Sequence, residues 1–154
     1  MRAWHGATVY AGDADVVRGT AAPGIPRLAD WEVEIFAQVI PHVPPAPVCA
    51  VDVELTGGEV LDFGDRARVI AVPGHTEGSV AVFLPEHGVL FTGDTIAQSQ
   101  DEVILGVFNV DPERAARSLR TQADLEPAVL CFGHGPPVTE HAARRLRDLV
   151  ERME

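Results

Sequence analysis

Three short apolar runs in this chain end in a glycine step followed at once by a side chain that can act as a Lewis base. Arg68 to Val72 leads through Pro73-Gly74 into His75, Val89-Leu90-Phe91 leads through Thr92-Gly93 into Asp94, and Ala128 to Phe132 leads through Gly133 into His134. Apolar runs of this length bounded by glycine and proline read as strands rather than helices. The pattern therefore demands a sheet that presents two imidazoles and a carboxylate at its strand ends.

That placement matters because a metal ligand must be held rigidly, or the ordering entropy is lost on binding. A strand anchors the chain just before each donor, and the adjacent glycine permits a tight turn and close backbone approach. Histidine with aspartate suits zinc, and also iron or manganese. Each piece is weak alone, since a strand-end histidine is often structural and an aspartate after glycine often closes a turn.

The 154 residues are expected to form a single domain, 1–154, with one core. All of the 12 basic residues are arginine against 23 acidic ones, a net charge of −11, and no stretch gathers the arginines into a basic face. A nucleic-acid partner is thereby disfavoured. No apolar run reaches the roughly 20 residues that span a bilayer, and the N-terminus lacks a basic-then-apolar leader. The expectation is a cytoplasmic protein with no membrane partner and a small-molecule substrate. Cys49 and Cys131 make no framework and read as reduced, mostly buried thiols.

Met1 to His5 reads as the last turn of a helix closed by Gly6, Ala7 to Tyr10 as a strand, and Ala14 to Arg18 as a short helix closed by Gly19. Leu28, Trp31, Ile35 and Val39 recur at three- and four-residue steps, which predicts an amphipathic helix over Asp30 to Ile40, stopped by Pro41. The next stretch, with prolines at 41, 44, 45 and 47, is expected to be extended. Further strands are expected at Val51–Leu55, Glu59–Phe63 and Ala67–Val72. Ser79–Leu84 and Val89–Phe91 read as a hairpin about Pro85 to Gly88. Thr95 to Val110 has no clear period. Asp111-Pro112-Glu113 is a strong helix start, with Ala116, Leu119 and Ala123 on one stripe. Thr139 is expected to cap a last helix whose Ala142, Leu146, Leu149, Val150 and Met153 form an apolar stripe. His5, His42, His87 and His141 read as solvated or structural.

Read together, Pro73-Gly74-His75-Thr76-x-Gly78-Ser79, then Phe91-Thr92-Gly93-Asp94, then Gly133-His134-Gly135, closely resemble the metallo-β-lactamase superfamily and, within it, the glyoxalase II-like and lactonase-like metallohydrolases. The resemblance runs over essentially all of residues 1–154. It implies an α/β fold, the C-terminal portion of an αββα sandwich with mixed, mostly antiparallel sheets and outer helices. It further implies His75 as the third histidine of a first metal site, Asp94 as the carboxylate bridging two metals, and His134 as the terminal histidine of the second. Two zinc ions per complete site would be the cofactors, with iron or manganese as the other candidates. The implied reaction is attack of a metal-bound hydroxide on a thioester, ester or lactone carbonyl.

One departure from the family is plain. Its His-x-His-x-Asp-His motif is absent, because no two of the six histidines are separated by a single residue. Gly6-Ala7-Thr8-Val9-Tyr10 matches the strand that follows this motif and its helix, so the 154 residues are expected to be the C-terminal part of a longer protein. Uncovered apolar sheet faces would follow, and with them a homo-oligomer or a complementing chain over the exposed sheet. The competing expectation is a catalytically silent remnant or binding module that has lost most of its metal ligands.

Overall fold

A computed structural model describes residues 5–17, 20–21, 24–44 and 49–153. Its centre is a five-stranded sheet of β5 (Val60–Leu61), β6 (Ala67–Ala71), β7 (Val80–Leu84), β8 (Val89–Phe91) and β11 (Val129–Cys131). The strand order is β11-β8-β7-β6-β5, antiparallel from β5 to β8, with β11 joined parallel to β8. Val129–Cys131 can pair parallel to β8 because the intervening chain supplies a helical crossover.

That crossover is α2 (Pro112–Ala123). Asp111 accepts a hydrogen bond from Arg114 N at 2.9 Å, and Pro112 stands at the first position, where its missing N–H costs nothing. With α3 (Ala142–Arg152), α2 covers one face of the sheet. On that face Phe83 pairs with Leu90 and Leu90 with Leu130, and they pack with Leu119, Ala123, Leu146 and Leu149 into one core. Burying each such leucine or phenylalanine is worth about 1.5–3 kcal/mol, so the helices belong here and nowhere else. The buried line on α2 runs through Ala115, Ser118, Leu119, Gln122 and Ala123, one residue displaced from the expected start at Ala116. The opposite sheet face, where Val82 pairs with Phe91, is less covered: Phe91 is 43% exposed, and Val80, Val82 and Leu84 are half-buried.

Several expectations change. The first strand is β1 (Tyr10–Gly12), paired parallel to β4 (Val53–Leu55), rather than Ala7 to Tyr10. The short helix expected over Ala14 to Arg18 is a 3-10 turn at Asp13–Asp15 followed by β2 (Val16–Val17), which pairs with β3 (Thr20–Ala21); two β-branched valines favour the strand. Arg18 and Gly19 lie outside the described residues, as do Met1 to Trp4, although Gly6 after helical His5 has φ +59°, as a cap requires. Ile40–His42 is a 3-10 turn rather than extended, since Pro41 sits in a first helical turn where it is tolerated; residues 45–48 are outside the described set. Glu59 to Phe63 contributes only the two residues of β5. The last helix starts three residues after Thr139, because Val138 is held extended by a reciprocal pair of 2.9 Å bonds to Leu130; His141, at φ +56°, then occupies the cap position. Cys49 is exposed rather than buried.

The helix at α1 (Asp30–Val39) forms as expected but is rotated. Trp31 is 61% exposed and Ile35 and Val39 are largely exposed, whereas Glu32 is only 4% exposed. Glu32 caps its own helix by accepting from Ala29 N at 2.8 Å and reaches across to Phe108 N, also at 2.8 Å. Phe36, one turn on, meets Phe108 edge to face with ring centroids 5.2 Å apart. Two specific contacts to one loop set the rotation, against the apolar stripe.

Thr95 to Val110, without a clear period in the sequence, contains a hairpin of β9 (Ile96–Ser99) and β10 (Glu102–Leu105). Gln100 and Asp101 form its two-residue turn, both with positive φ, at +50° and +66°. That geometry suits the twist of a hairpin, but Gln-Asp lacks the glycine that usually announces it.

Candidate metal centre

His75 lies on a turn that leaves β6 and is fastened to the start of α2. Asp111 N donates to Gly74 O at 2.9 Å, Val110 N to His75 O at 3.1 Å, and the Ser118 hydroxyl to Pro73 O at 2.7 Å. Gly74 has φ +136°, and a Cβ there would stand 2.2 Å from the backbone nitrogen of Ala115. Only glycine lets the turn approach the helix so closely. On its other side the turn is tied to the N-terminal part of the chain: Thr76 donates through Oγ1 to the Asp15 carboxylate, and Ser79 Oγ accepts from Thr76 N at 2.9 Å. Glu77 pairs with Arg114 of α2.

Asp94 sits in a 3-10 turn, Gly93–Thr95, directly after β8. The Thr92 hydroxyl donates to Ile96 O at 3.1 Å, and that of Thr95 to Val72 O at 3.4 Å, so the turn is tied to the end of β6 as well. His134 follows β11; Gly133 N donates to Gly93 O at 3.1 Å, and Gln98 N to His134 O at 3.2 Å. A Cβ on Gly133 would lie 1.8 Å from Asp94 Oδ1. Glycine at 133 is what lets the carboxylate stand between the two histidines.

The three residues named from the sequence are thus brought together. Asp94 Oδ2 is 3.9 Å from His75 Nε2 and 3.8 Å from His134 Nε2. Exposure rises across the group, from 25% for the His75 side chain through 41% for Asp94 to 80% for His134. His75 Nδ1 is buried with no hydrogen-bond partner among the described residues. Imidazole nitrogen and carboxylate oxygen are the donor types that zinc, iron and manganese accept, so the chemistry of the set fits a divalent ion. Its count does not close a site: among the described residues no three His, Cys, Asp or Glu side chains are arranged to hold one. What is present is two donor pairs, His75 with Asp94 and Asp94 with His134, sharing one carboxylate.

The trio opens into a cavity of about 620 Å³ whose remaining walls are mostly apolar: Val39 and Val43 at the end of α1, Ala97 and Ile104 on the β9–β10 hairpin, and Val107 and Phe108 beyond it. None of these wall residues was named as a site residue from the sequence, although Val43 belongs to the proline-rich stretch 41–48, the kind of loop that often rims a pocket. The signals that would have found them, a buried glutamate on α1 and a hairpin turn without glycine, run against the usual rules. Of the other histidines, His42 does not line the cavity although its neighbour Val43 does. His87, exposed at its turn, pairs with Asp65 at 2.9 Å.

A family model described as the metallo-beta-lactamase superfamily matches residues 6–134. The chain belongs to the metallo-β-lactamase superfamily. It is 34% identical over 107 residues to a probable metallo-hydrolase, YflN, of Bacillus subtilis (strain 168), a match covering 60% of this chain and 40% of that protein. It is also 34% identical over 102 residues to a hydroxyacylglutathione hydrolase of Cereibacter sphaeroides, covering 63% of this chain and 36% of the relative. The chain therefore spans well under half the length of these curated relatives. A metallo-beta-lactamase family protein of Thermus thermophilus superposes with a TM-score of 0.59 at 25% identity, over 96% of this chain and 52% of that one. The mixed α/β architecture with antiparallel-rich sheets is that of the superfamily, whose members bind metal ions. No described helix is long and apolar enough to cross a membrane.

Proposed function

We propose that this chain carries out metal-dependent hydrolysis of a thioester, ester or lactone, with His75, Asp94 and His134 as metal ligands. One observation carries the reading: two imidazole Nε2 atoms from different strand ends approach the same oxygen of Asp94, and all three residues line one cavity. His75 and Asp94 would contribute to one metal position and Asp94 and His134 to a second, with zinc the first choice for this donor set and iron or manganese the others. When bound, such an ion supplies a lowered water pKa and polarisation of a carbonyl oxygen.

The protein's own part is placement. Asp94 stays between the histidines because Gly133 leaves room for it, and the turn fastened to α2 aims His75 at the carboxylate. A substrate acyl group in the cavity brings its carbonyl beside Asp94. Water adds to the carbonyl carbon, the single bond to sulfur or oxygen breaks, and the water-derived proton ends on the thiol or alcohol that leaves. The hydroxyacylglutathione hydrolases among the relatives support a thioester, and the unpaired Cys49 and Cys131 support a reducing, cytoplasmic setting.

The test is metal titration of the purified chain alongside hydrolysis of a panel of thioesters and lactones. The reading expects bound zinc, hydrolysis that chelation abolishes, and loss of both in Asp94→Ala. A chain that takes up no zinc, iron or manganese and hydrolyses nothing would overturn it.

A further inference from the structure

We infer that Asp15, which bonds Thr76 across 61 residues of chain, is a positioning residue that fixes the aim of His75 and with it the first of the two metal positions; this rests on the metal-ligand reading of the same site. Asp15 belongs to none of the three ligand motifs and does not line the cavity. The His75 ring has no fastening of its own among the described residues. Its Nδ1 is buried without a hydrogen-bond partner, and its Nε2 stands 3.9 Å from Asp94 Oδ2, beyond hydrogen-bond reach. A histidine that ligates a metal ordinarily has its second nitrogen held by a carboxylate, a carbonyl or water. Here the backbone turn beneath the ring must supply the orientation instead.

That turn closes around Thr76. Thr76 N donates to Ser79 Oγ at 2.9 Å, and Gly74 N to Thr76 O at 2.8 Å. The two hydroxyl oxygens lie 2.8 Å apart, and Asp15 decides which of them donates. An ionised carboxylate only accepts, so the Thr76 hydroxyl gives its proton to Asp15 Oδ2 and takes that of Ser79. Both hydroxyl protons are then committed, and the series ends on a charged acceptor, the stronger kind of hydrogen bond. The approach is close by construction: a Cβ on Gly12 would stand 1.8 Å from Gly78 O, and one on Gly78 would stand 2.8 Å from Asp15 Cγ. Glycine at both places lets the carboxylate reach a turn that larger residues would hold away.

The other ties of the turn act on different residues. Val110, Asp111 and Ser118 hold the carbonyls of His75, Gly74 and Pro73, and Arg114 meets Glu77 in a partly exposed pair. Asp15 holds the side chain of residue 76, immediately after the ligand. Without its carboxylate both hydroxyls are released to rotate, and the chain on that side of His75 loses its tie to the N-terminal segment. His134 is held elsewhere, through Gly133 N to Gly93 O and through Gln98 N to its own carbonyl. Loss of Asp15 should therefore be felt at one imidazole and not at the other.

The experiment follows each imidazole separately. The intact chain is titrated with zinc at fixed pH while two-bond proton–nitrogen spectra record the ring nitrogens of His75 and His134. Carbon relaxation at each ring Cε1 of the metal-free protein reports how mobile that ring is. Asp15→Ala should weaken the zinc binding seen at His75 about tenfold or more, the scale for a lost outer partner, and that seen at His134 by less than about threefold. In the metal-free protein the His75 ring should become more mobile while the His134 ring does not change. Asp15→Asn, isosteric and so safe for folding, keeps an acceptor oxygen without the charge and should fall between the two. Thr76→Val should reproduce Asp15→Ala, Thr76→Ser should behave as the parent, and Asp15→Ala added to Thr76→Val should cost no more than either alone. Unchanged zinc affinity at His75, equal weakening at both histidines, or a His75 ring no more mobile than in the parent overturns the inference, and Asp15 then serves only the fold. If zinc moves neither ring of the parent, the hydrolase reading falls, and the mobility of the metal-free His75 ring in Asp15→Ala decides the inference by itself.

Discussion

Substituting Gly133 by alanine isolates the contact that holds Asp94 between its histidines. The new Cβ would lie 1.8 Å from Asp94 Oδ1 and 3.0 Å from its Cγ, while Gly93 C, at 3.5 Å, is ordinary contact. Oδ1 must retreat by roughly 1.5–2 Å to recover a van der Waals separation. The obstruction is the end of a short side chain rather than backbone, so the carboxylate rotates away instead of the strand moving. An off-rotamer torsion of this kind costs about 0.5–1.5 kcal/mol, a melting shift of a few degrees at about 2–4 °C per kcal/mol for a chain of this size. The functional cost is larger, because Oδ2 leaves its position between His75 and His134. Metal affinity or hydrolysis should fall about 100-fold, the scale seen when a group orienting a metal ligand is lost or displaced by an ångström. A double-mutant cycle supplies the decisive control. With Asp94 replaced by alanine the clash is gone, and Gly133, whose φ is not positive, should accept alanine at no cost or with a gain of up to about 1 kcal/mol from the less flexible unfolded chain. The assays are thermal unfolding of the four proteins and zinc titration of the two that retain Asp94. Equal destabilisation in both backgrounds, or unchanged zinc affinity in Gly133→Ala, would refute the argument.

Three further substitutions probe the fold, two of them at supports of the site and its cavity and one at a turn away from it. Gly74→Ala meets the Ala115 backbone nitrogen at 2.2 Å in a positive-φ turn, so no rotamer relieves it; chemical denaturation should show a loss of about 3 kcal/mol or more, and a near-neutral result would mean the turn does not press on α2. Glu32→Ala deprives Phe108 N and Ala29 N of their acceptor and should cost about 1–3 kcal/mol in the same assay, with faster amide exchange at Phe108 as the local signature. Glu59 accepts hydrogen bonds from Thr56 N, Thr56 Oγ1 and Gly57 N, which lower its pKa from 4.5 to about 2. A carboxylate held low contributes stability above its unfolded value, and loses it as pH falls through the folded one; acid titration should therefore show a component between about pH 4.5 and 2 in the parent that Glu59→Gln lacks.

The strand-end positions of His75, Asp94 and His134 were legible in the sequence because each is a local matter. A short apolar run, a glycine and a ligand-type side chain define a strand end within eight residues, and no distant contact is needed to place His75, Asp94 or His134 at such an end. The hairpin of β7 and β8 and the start of α2 at Asp111 were legible for the same reason. That the three ends converge was not visible in the spacing itself; it came from the likeness to known metallohydrolases, and the 3.8 and 3.9 Å approaches to Asp94 Oδ2 supply the geometry behind it.

The walls of the cavity are a different kind of fact. Glu32 and Phe108 are 76 residues apart, and their bond rotates α1 until Trp31 and Ile35 face outward while Phe36 turns in; no periodicity within α1 could announce this, since periodicity assumes that apolar side chains decide which face is buried. The hairpin of β9 and β10 hides behind a Gln-Asp turn, and Phe108 itself stands at φ +60°, where a bulky side chain is uncommon. Such a residue persists only when its surroundings hold it, and here Glu32 takes its N–H while Phe36 takes its ring. The same two contacts that defeat the helical pattern therefore build the surface a substrate would meet. In this chain the strand-end positions of His75, Asp94 and His134 follow from local pattern, and the cavity walls follow from long-range contacts that override it; a relative could keep Gly-His, Gly-Asp and Gly-His intact and still present a differently shaped cavity by changing Glu32 or Phe108.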